Sequence, residues 1–325
     1  MFITHFKINH VRHLENLEIA LSTDKRKHLI LTGKNGSGKT SVLEAVRDFL
    51  VAYESRPFSP VFAPVKMVQK VALEFNALDD LTQLSQHDEF ILAFFADKRG
   101  TSMDIPQGPK KIPLKTTLYN ITNETKAPSD IFLQYLVNLK VEQSFARDDG
   151  EFDTVNQIEK WFNQFEGTLQ ELFEDDRLKL QFDRKNYNFE LVTRGRKPFD
   201  FNTLSDGYSA VVNIISDLIV RMEHQKTEGY DLPGIVLIDE IETHLHVELQ
   251  KKILPFLTRF FPEIQFIVST HSPFVLTSLT DAVIYDLENQ YRFEDLSPYS
   301  YEAVVERYFE IDKYSNLSQH DGIKR

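Results

Sequence analysis

The segment GKNGSGKT, Gly33 to Thr40, constrains this chain more than any other, because it fits G-x-x-x-x-G-K-[ST] at every position. The apolar run HLILT, His28 to Thr32, reads as a buried strand before it, and Val42, Leu43, Val46, Phe49 and Leu50 follow at helical spacing. Strand, glycine loop and helix in that order point to an α/β core. Gly33, Gly36 and Gly38 let the backbone turn successive N–H groups toward an anion at a helix N-terminus, where the dipole favours negative charge. Lys39 would reach the β- and γ-phosphates of a nucleotide, and the Thr40 hydroxyl would ligate Mg²⁺. Asn35, Ser37 and Ser41 belong to the same loop and first turn and join the nucleotide-binding candidates. An ordinary glycine turn is the bland alternative, and a match at every position with the right flanks argues against it.

Two further segments bring chemistry to strand ends. In GIVLIDEIETHLH, Gly234 to His246, the apolar run Ile235 to Ile238 suits a strand buried on both faces of a parallel sheet. Asp239 and Glu240 then stand at its carboxyl end, where open α/β sheets place their ligands. Asp239 would hold the Mg²⁺ shell, and Glu240 would act as the base that orients the attacking water. In QFIVSTHSPFV, Gln265 to Val275, a second buried strand releases His271 at the same sheet edge, placed to contact a γ-phosphate or the water.

The segment Leu204-Ser205-Asp206-Gly207-Tyr208 looks like an ABC-type signature, and Val211, Val212, Ile214, Ile215, Leu218, Ile219 and Met222 after it recur at helical spacing. Together these motifs resemble the ABC-type ATPase heads of the RecF/SMC/OLD class, over about residues 1 to 50 and 175 to 290. The signature differs from the common LSGGQ in Asp206 and Tyr208, while Ser205 and Gly207 stay. Ser-Asp is also an ordinary helix N-cap. The resemblance implies a P-loop NTPase fold of the ABC-type head: a mixed central sheet, a flanking antiparallel sheet and an inserted helical lid.

It further implies ATP and Mg²⁺ as cofactors, ATP hydrolysis, and a homodimer in which Ser205, Asp206 and Gly207 of one copy cap the nucleotide of the other, with higher oligomers built from such pairs. Arg12 is a candidate for the class arginine of the first turn or an exposed loop arginine, and Gln69 is a candidate for its metal-linking glutamine or, the better bet, a surface residue. Glu242, Thr243 and His244 occupy the place of the loop at the dimer seam. The chain also resembles the standalone ATPases of phage-defence operons, Septu-like and retron-associated, which implies a separate nuclease as partner and nucleic acid as a candidate contact. Nucleases of the class carry an acidic Toprim domain, for which the stretch after His271 is too short. Two other readings stay open: a transporter nucleotide-binding subunit, and a clamp that holds ATP without turning it over.

Composition agrees with a cytoplasmic protein. Its 325 residues include no cysteine, which rules out disulfides and thiolate metal sites. No apolar run approaches the ~20 residues of a membrane span. The formal net charge of −12 opposes a general polyanion coat but leaves room for local patches. One is Asp97 to Lys115, with Lys98, Arg99, Lys110, Lys111 and Lys115; another is Arg194, Arg196 and Lys197. Both read as solvated loops or nucleic-acid contacts. His244 and His246 with His271 could suggest a metal cluster, but residues two apart on a helix diverge.

The expected organisation is an N-terminal ATPase lobe (1–96), an insertion with a basic loop and helical lid (97–176), a C-terminal ATPase lobe (177–290) and a helix with a tail (291–325). Val71 to Asn76 and Phe90 to Ala96 read as strands of the flanking antiparallel sheet. Ser129 to Asp176 is helical, with Phe132, Tyr135, Leu136 and Leu139 on one face and Ile158, Trp161, Phe162, Phe165, Leu169 and Phe173 on another, expected mostly to pack on the ATPase core. Arg177 to Thr193 predicts a hairpin, Asp281 to Glu288 a strand and Ser300 to Ile311 a helix.

Overall fold

The computed structural model describes residues 1–54, 70–77, 90–100, 102–112, 127–223, 232–299 and 303–304. Gln69, Lys115, most of the expected helix over 300–311 and the tail lie outside the described residues. The described chain divides into two compact units, the first holding residues up to Lys98 and from Leu232 on, the second those from Arg99 to Glu223.

The first unit contains β1 (Ile3–Val11), β2 (Leu14–Ala20), β3 (His28–Thr32), α1 (Lys39–Glu54), β4 (Val71–Phe75) and β5 (Ile91–Phe95). After the second unit it resumes with β9 (Gly234–Ile238), α5 (Val247–Phe260), β10 (Ile264–Ser269), α6 (Pro273–Leu276), β11 (Ala282–Asp286) and β12 (Tyr291–Phe293). A six-stranded sheet runs β12-β11-β3-β10-β9-β5, parallel except for the antiparallel edge strand β12. A second, antiparallel sheet runs β2-β1-β4. Strands β3, β9, β10 and β11 are buried along their whole length, as continuous apolar runs in a covered parallel sheet should be.

Alternation decides which side each residue serves. Leu29 and Leu31 of β3, Leu237 of β9 and Ile267 of β10 meet Val42, Leu43 and Val46 of α1 and the inner face of the antiparallel sheet, including Phe6, Ile8 and Ile19. Each such side chain taken fully out of water contributes about 1.5–3 kcal/mol before ordering costs.

Phe90 to Ala96 does not join the flanking sheet; β5 pairs parallel with β9, from Ile91 opposite Gly234 to Phe95 opposite Ile238. Its sequence ILAFF is apolar on both faces, which suits a parallel sheet, whereas VALEF of β4 alternates and keeps one face toward solvent.

The second unit holds α2 (Phe132–Asp149), α3 (Phe152–Phe173), β6 (Lys179–Asp183), β7 (Asn188–Val192), β8 (Phe199–Asp200) and α4 (Asp206–Glu223). Gly150, left-handed at φ 77°, ends α2 and reverses the chain into α3. The predicted hairpin forms, with the Asp183 carboxylate accepting the N–H groups of Lys185 and Asn186 to close its turn. The aromatic face of α2 and α3 finds its partners inside this unit: Phe132 packs edge-on against Phe165 and Phe201, and Phe162 stacks on Phe189 of β7. Among the described residues no helix is long and apolar enough to cross a membrane.

Candidate nucleotide site

The parallel strands deliver their carboxyl ends to one edge of the sheet. Asp286 of β11 lies opposite Thr32 of β3, Ser269 of β10 opposite Leu31, and Val268 opposite Ile238 of β9. The phosphate loop, Asp239-Glu240 and Thr270-His271 therefore leave the sheet side by side.

The loop has the form of an anion cradle. Gly33, Gly36 and Gly38 take φ of 134°, 86° and 98°, in the region that side chains disfavour. A Cβ on Gly33 would come 2.7 Å from Ser37 Oγ, and one on Gly38 2.9 Å from Leu14 Cδ1, so at both positions a side-chain end would have to shift in addition to the backbone strain. Lys39 Nζ donates to the carbonyls of Gly33 (2.9 Å) and Lys34 (3.1 Å), arching over the loop. Ser37 Oγ is buried and has no hydrogen-bond partner among the described residues. Thr40 and Asn35 are exposed, and Ser41 is buried at the start of α1. Burial brings the Lys39 pKa below its ordinary value, against the opposing pull of Glu240, Glu242, Asp239 and Asp286.

Opposite the loop, Asp239 is 3% exposed and accepts the Ser269 hydroxyl at 2.5 Å. The same hydroxyl accepts the Glu240 N–H at 2.7 Å. Glu240 sits at φ 44°, a strained conformation costing about 1–3 kcal/mol, of the kind concentrated at functional sites. Glu242 grips the next strand end, accepting the Thr270 hydroxyl at 2.7 Å and the His271 N–H at 2.5 Å. His271 is half-buried, and its pKa is lowered by burial and then by Lys39, against the opposing pull of Glu242, Glu240 and Asp239. The shift favours the neutral ring, which can donate from one nitrogen and accept at the other.

This donor set fits a nucleotide with Mg²⁺: glycine N–H groups and an ammonium for phosphates, and a hydroxyl with a buried carboxylate for a hard cation. Arg12 stands at φ 54° in the β1–β2 turn, whose neighbours His13 and Leu14 line the space beside Gly38. The turn of Arg12 is thus brought to the phosphate loop.

Other candidates separate from this group. His246 accepts the Leu249 N–H as N-cap of α5, and His244 is exposed at φ 67°. Among the described residues no group of three or more potential ligands is arranged to hold a metal through His, Asp and Glu alone. Arg99 is buried, which removes it from the first basic segment. In the second unit Ser205 stands exposed just before α4 and its carbonyl accepts the Ser209 N–H at 2.8 Å; Asp206 is exposed and Gly207 buried. Tyr208, in place of the usual glutamine, stacks on Phe173 with centroids 4.4 Å apart.

Sequence reading missed Ser269 as a ligand-orienting residue and Asp286 with Glu288 as supports of the loop. Asp286 accepts the Glu288 and Asn289 N–H groups, and Glu288 in turn accepts the Lys34 N–H at 3.0 Å. The strand-end position of Asp286 was the available signal.

Relatives share this sequence to different extents. The Septu protein PtuA of Bacillus mycoides (strain KBAB4) is 28% identical over 319 residues, covering 90% of this chain and 41% of the relative. The Retron Vc95 probable ATPase of Vibrio cholerae serotype O1 biovar El Tor is 42% identical over 117 residues, covering 34% of this chain and 22% of the relative. The chain thus spans about two fifths or less of the length of these curated relatives. Among solved structures, the SMC head domain from Thermotoga maritima aligns at 13% identity and a TM-score of 0.45, covering 88% of this chain and 94% of that one. The family described as "AAA domain, putative AbiEii toxin, Type IV TA system" matches residues 29–277, a span that takes in the ends of β3, β9 and β10 where they meet at this site, and the chain belongs to that family.

Proposed function

We propose that this chain is an Mg²⁺-dependent ATPase whose heads pair around ATP, and that the pairing controls a cytoplasmic defence complex with a separate nuclease. The observation that carries the chemistry is the convergence of Lys39, Asp239, Glu240 and His271 at one sheet edge, held there by strand register and by the Ser269 hydroxyl.

Lys39 and the loop N–H groups bind the phosphate chain, and Thr40 and Asp239 are the ligands offered to Mg²⁺, which when bound offsets phosphate charge. Glu240, at φ 44° just after β9, takes the proton of the attacking water. His271 orients that water or the γ-phosphate. Ser205, with the N-terminal N–H groups of α4, caps the γ-phosphate bound by a second copy, giving an isologous dimer with two composite sites. The defence role draws on the names of the Septu and retron relatives, and the nuclease partner on the resemblance described above.

ATP turnover and oligomer size of wild type and Glu240→Gln test this together. The variant is expected to lose turnover by about 10²-fold or more and to accumulate an ATP-bound dimer. Unchanged turnover would remove Glu240 from its role, and a wild type that pairs without turnover would favour the clamp.

A further inference from the structure

A cleft of about 590 Å³ opens at the N-terminus of α4 in the second unit, a volume in the range of small-ligand sites. The end of α3, the loop between β7 and β8, and the signature turn line it, so Ser205 and Tyr208 share one space with Arg194, Arg196 and Lys197. Gly195, at φ 81°, lets the loop turn sharply between the two arginines.

The charge of this cleft is opposite to that of the chain. Four cations line it against two carboxylates, while the whole sequence carries −12. One of the two carboxylates is already engaged: Asp175 accepts the Thr193 hydroxyl and the Arg177 N–H, which hold its carboxyl below the usual range. Arg194, Arg196 and Lys197 are exposed and have no carboxylate partner among the described residues. Arg194, Arg196 and Lys197 therefore outnumber the remaining carboxylate, Glu174, in a cleft that they share with Ser205 at the start of α4.

We propose that Arg194, Arg196 and Lys197 act in trans, receiving the phosphate chain of the ATP held by the phosphate loop of a second copy. The inference rests on the head-pairing reading given above. In the hydrolysis, water forms the new bond to the γ-phosphorus as the bond to the bridging β–γ oxygen breaks, its electron pair leaves on ADP, and the water proton passes to Glu240. The trans cations change no bond; they offset the negative charge spread over the γ-phosphoryl oxygens, as cations supplied by a neighbouring subunit do in other phosphoryl transfers. Planar guanidinium groups suit this better than ammonium, since they match two phosphate oxygens at once.

Complementation between inactive variants tests the proposal on the full chain. Arg194→Ala/Arg196→Ala/Lys197→Ala changes only exposed side chains, and binding of a fluorescent ATP analogue to its own phosphate loop checks that it folds. It is expected to keep that affinity within about twofold and to lose turnover about tenfold or more, less than removal of a complete arginine finger. Lys39→Ala is expected to be inactive for want of ATP. Mixed in equal amounts, the two should recover roughly a quarter of wild-type turnover, because random pairing makes half the dimers mixed and each carries one complete site. A parallel mixture of Ser205→Arg with Lys39→Ala reports on head pairing alone.

Normal turnover by the loop variant overturns the inference, including the case in which that variant loses only nucleic-acid binding. It is also overturned if the loop variant is inactive and fails to complement while Ser205→Arg complements, since the cations then act within their own chain. If neither mixture recovers, head pairing itself fails and takes the inference with it.

Discussion

Ser269 puts two constraints on one hydroxyl, donating to the Asp239 carboxylate while accepting the N–H of a strained Glu240. Glu242 does the equivalent one strand over, where each of its oxygens takes a donor from Thr270 or His271. In sequence Glu242 reads only as a residue near a dimer seam; its contacts make it the support of the histidine. Glu242→Ala would leave the fully buried Thr270 hydroxyl and the His271 N–H without that acceptor, a loss of about 1–3 kcal/mol in local order. Steady-state kinetics should show kcat falling by about tenfold or more with KM for ATP within about threefold, and Glu242→Gln, which keeps one acceptor oxygen, should lie between. An alanine variant with wild-type kcat would release Glu242 from this role.

The helix α4 is read correctly from its apolar spacing, but spacing says nothing of the ion pair inside it. Asp217 and Arg221, four residues apart and joined at 2.5 Å, are 4% and 1% exposed. Removing Asp217 takes the ion-pair carboxylate from a buried guanidinium, so Asp217→Ala should lower stability by about 3–5 kcal/mol in urea unfolding. Asp217→Leu/Arg221→Met, which removes both charges at similar volume, should be markedly less destabilised. A double variant as unstable as the single one would mean the pair is needed for more than mutual neutralisation. The element that sequence placed in the wrong sheet was β5: strand character is local, while the choice between two sheets depends on which edge is free to accept a strand apolar on both faces.

Stability of the whole first unit carries a pH signature through His28. The ring is 9% exposed, accepts the Phe266 N–H on Nδ1 at 3.0 Å and has its pKa lowered to about 4, first by burial and then by Arg26. Because the folded pKa lies below the unfolded value, the contribution of the neutral ring is complete above about pH 6.5 and is lost as pH falls toward 4; that shift corresponds to about 3 kcal/mol. Thermal midpoints of wild type should therefore drop across this window more steeply than those of His28→Asn, whose amide oxygen can still accept the Phe266 N–H. Parallel curves would show that other groups set the acid response.

Sequence alone determined the phosphate loop, the order of strand, loop and helix, the acidic and histidine strand ends, and the start of α4, because each depends on residues adjacent in the chain or on a local period. Tertiary structure decided which strand ends meet, since parallel register joins β3, β10 and β9 across more than two hundred residues of sequence. It also decided that Ser269, Glu242 and Asp286 support the site, and that Arg194, Arg196 and Lys197 share a cleft with Ser205. Hydrogen bonds and charge act through space over a few ångströms, and only the folded chain fixes those distances.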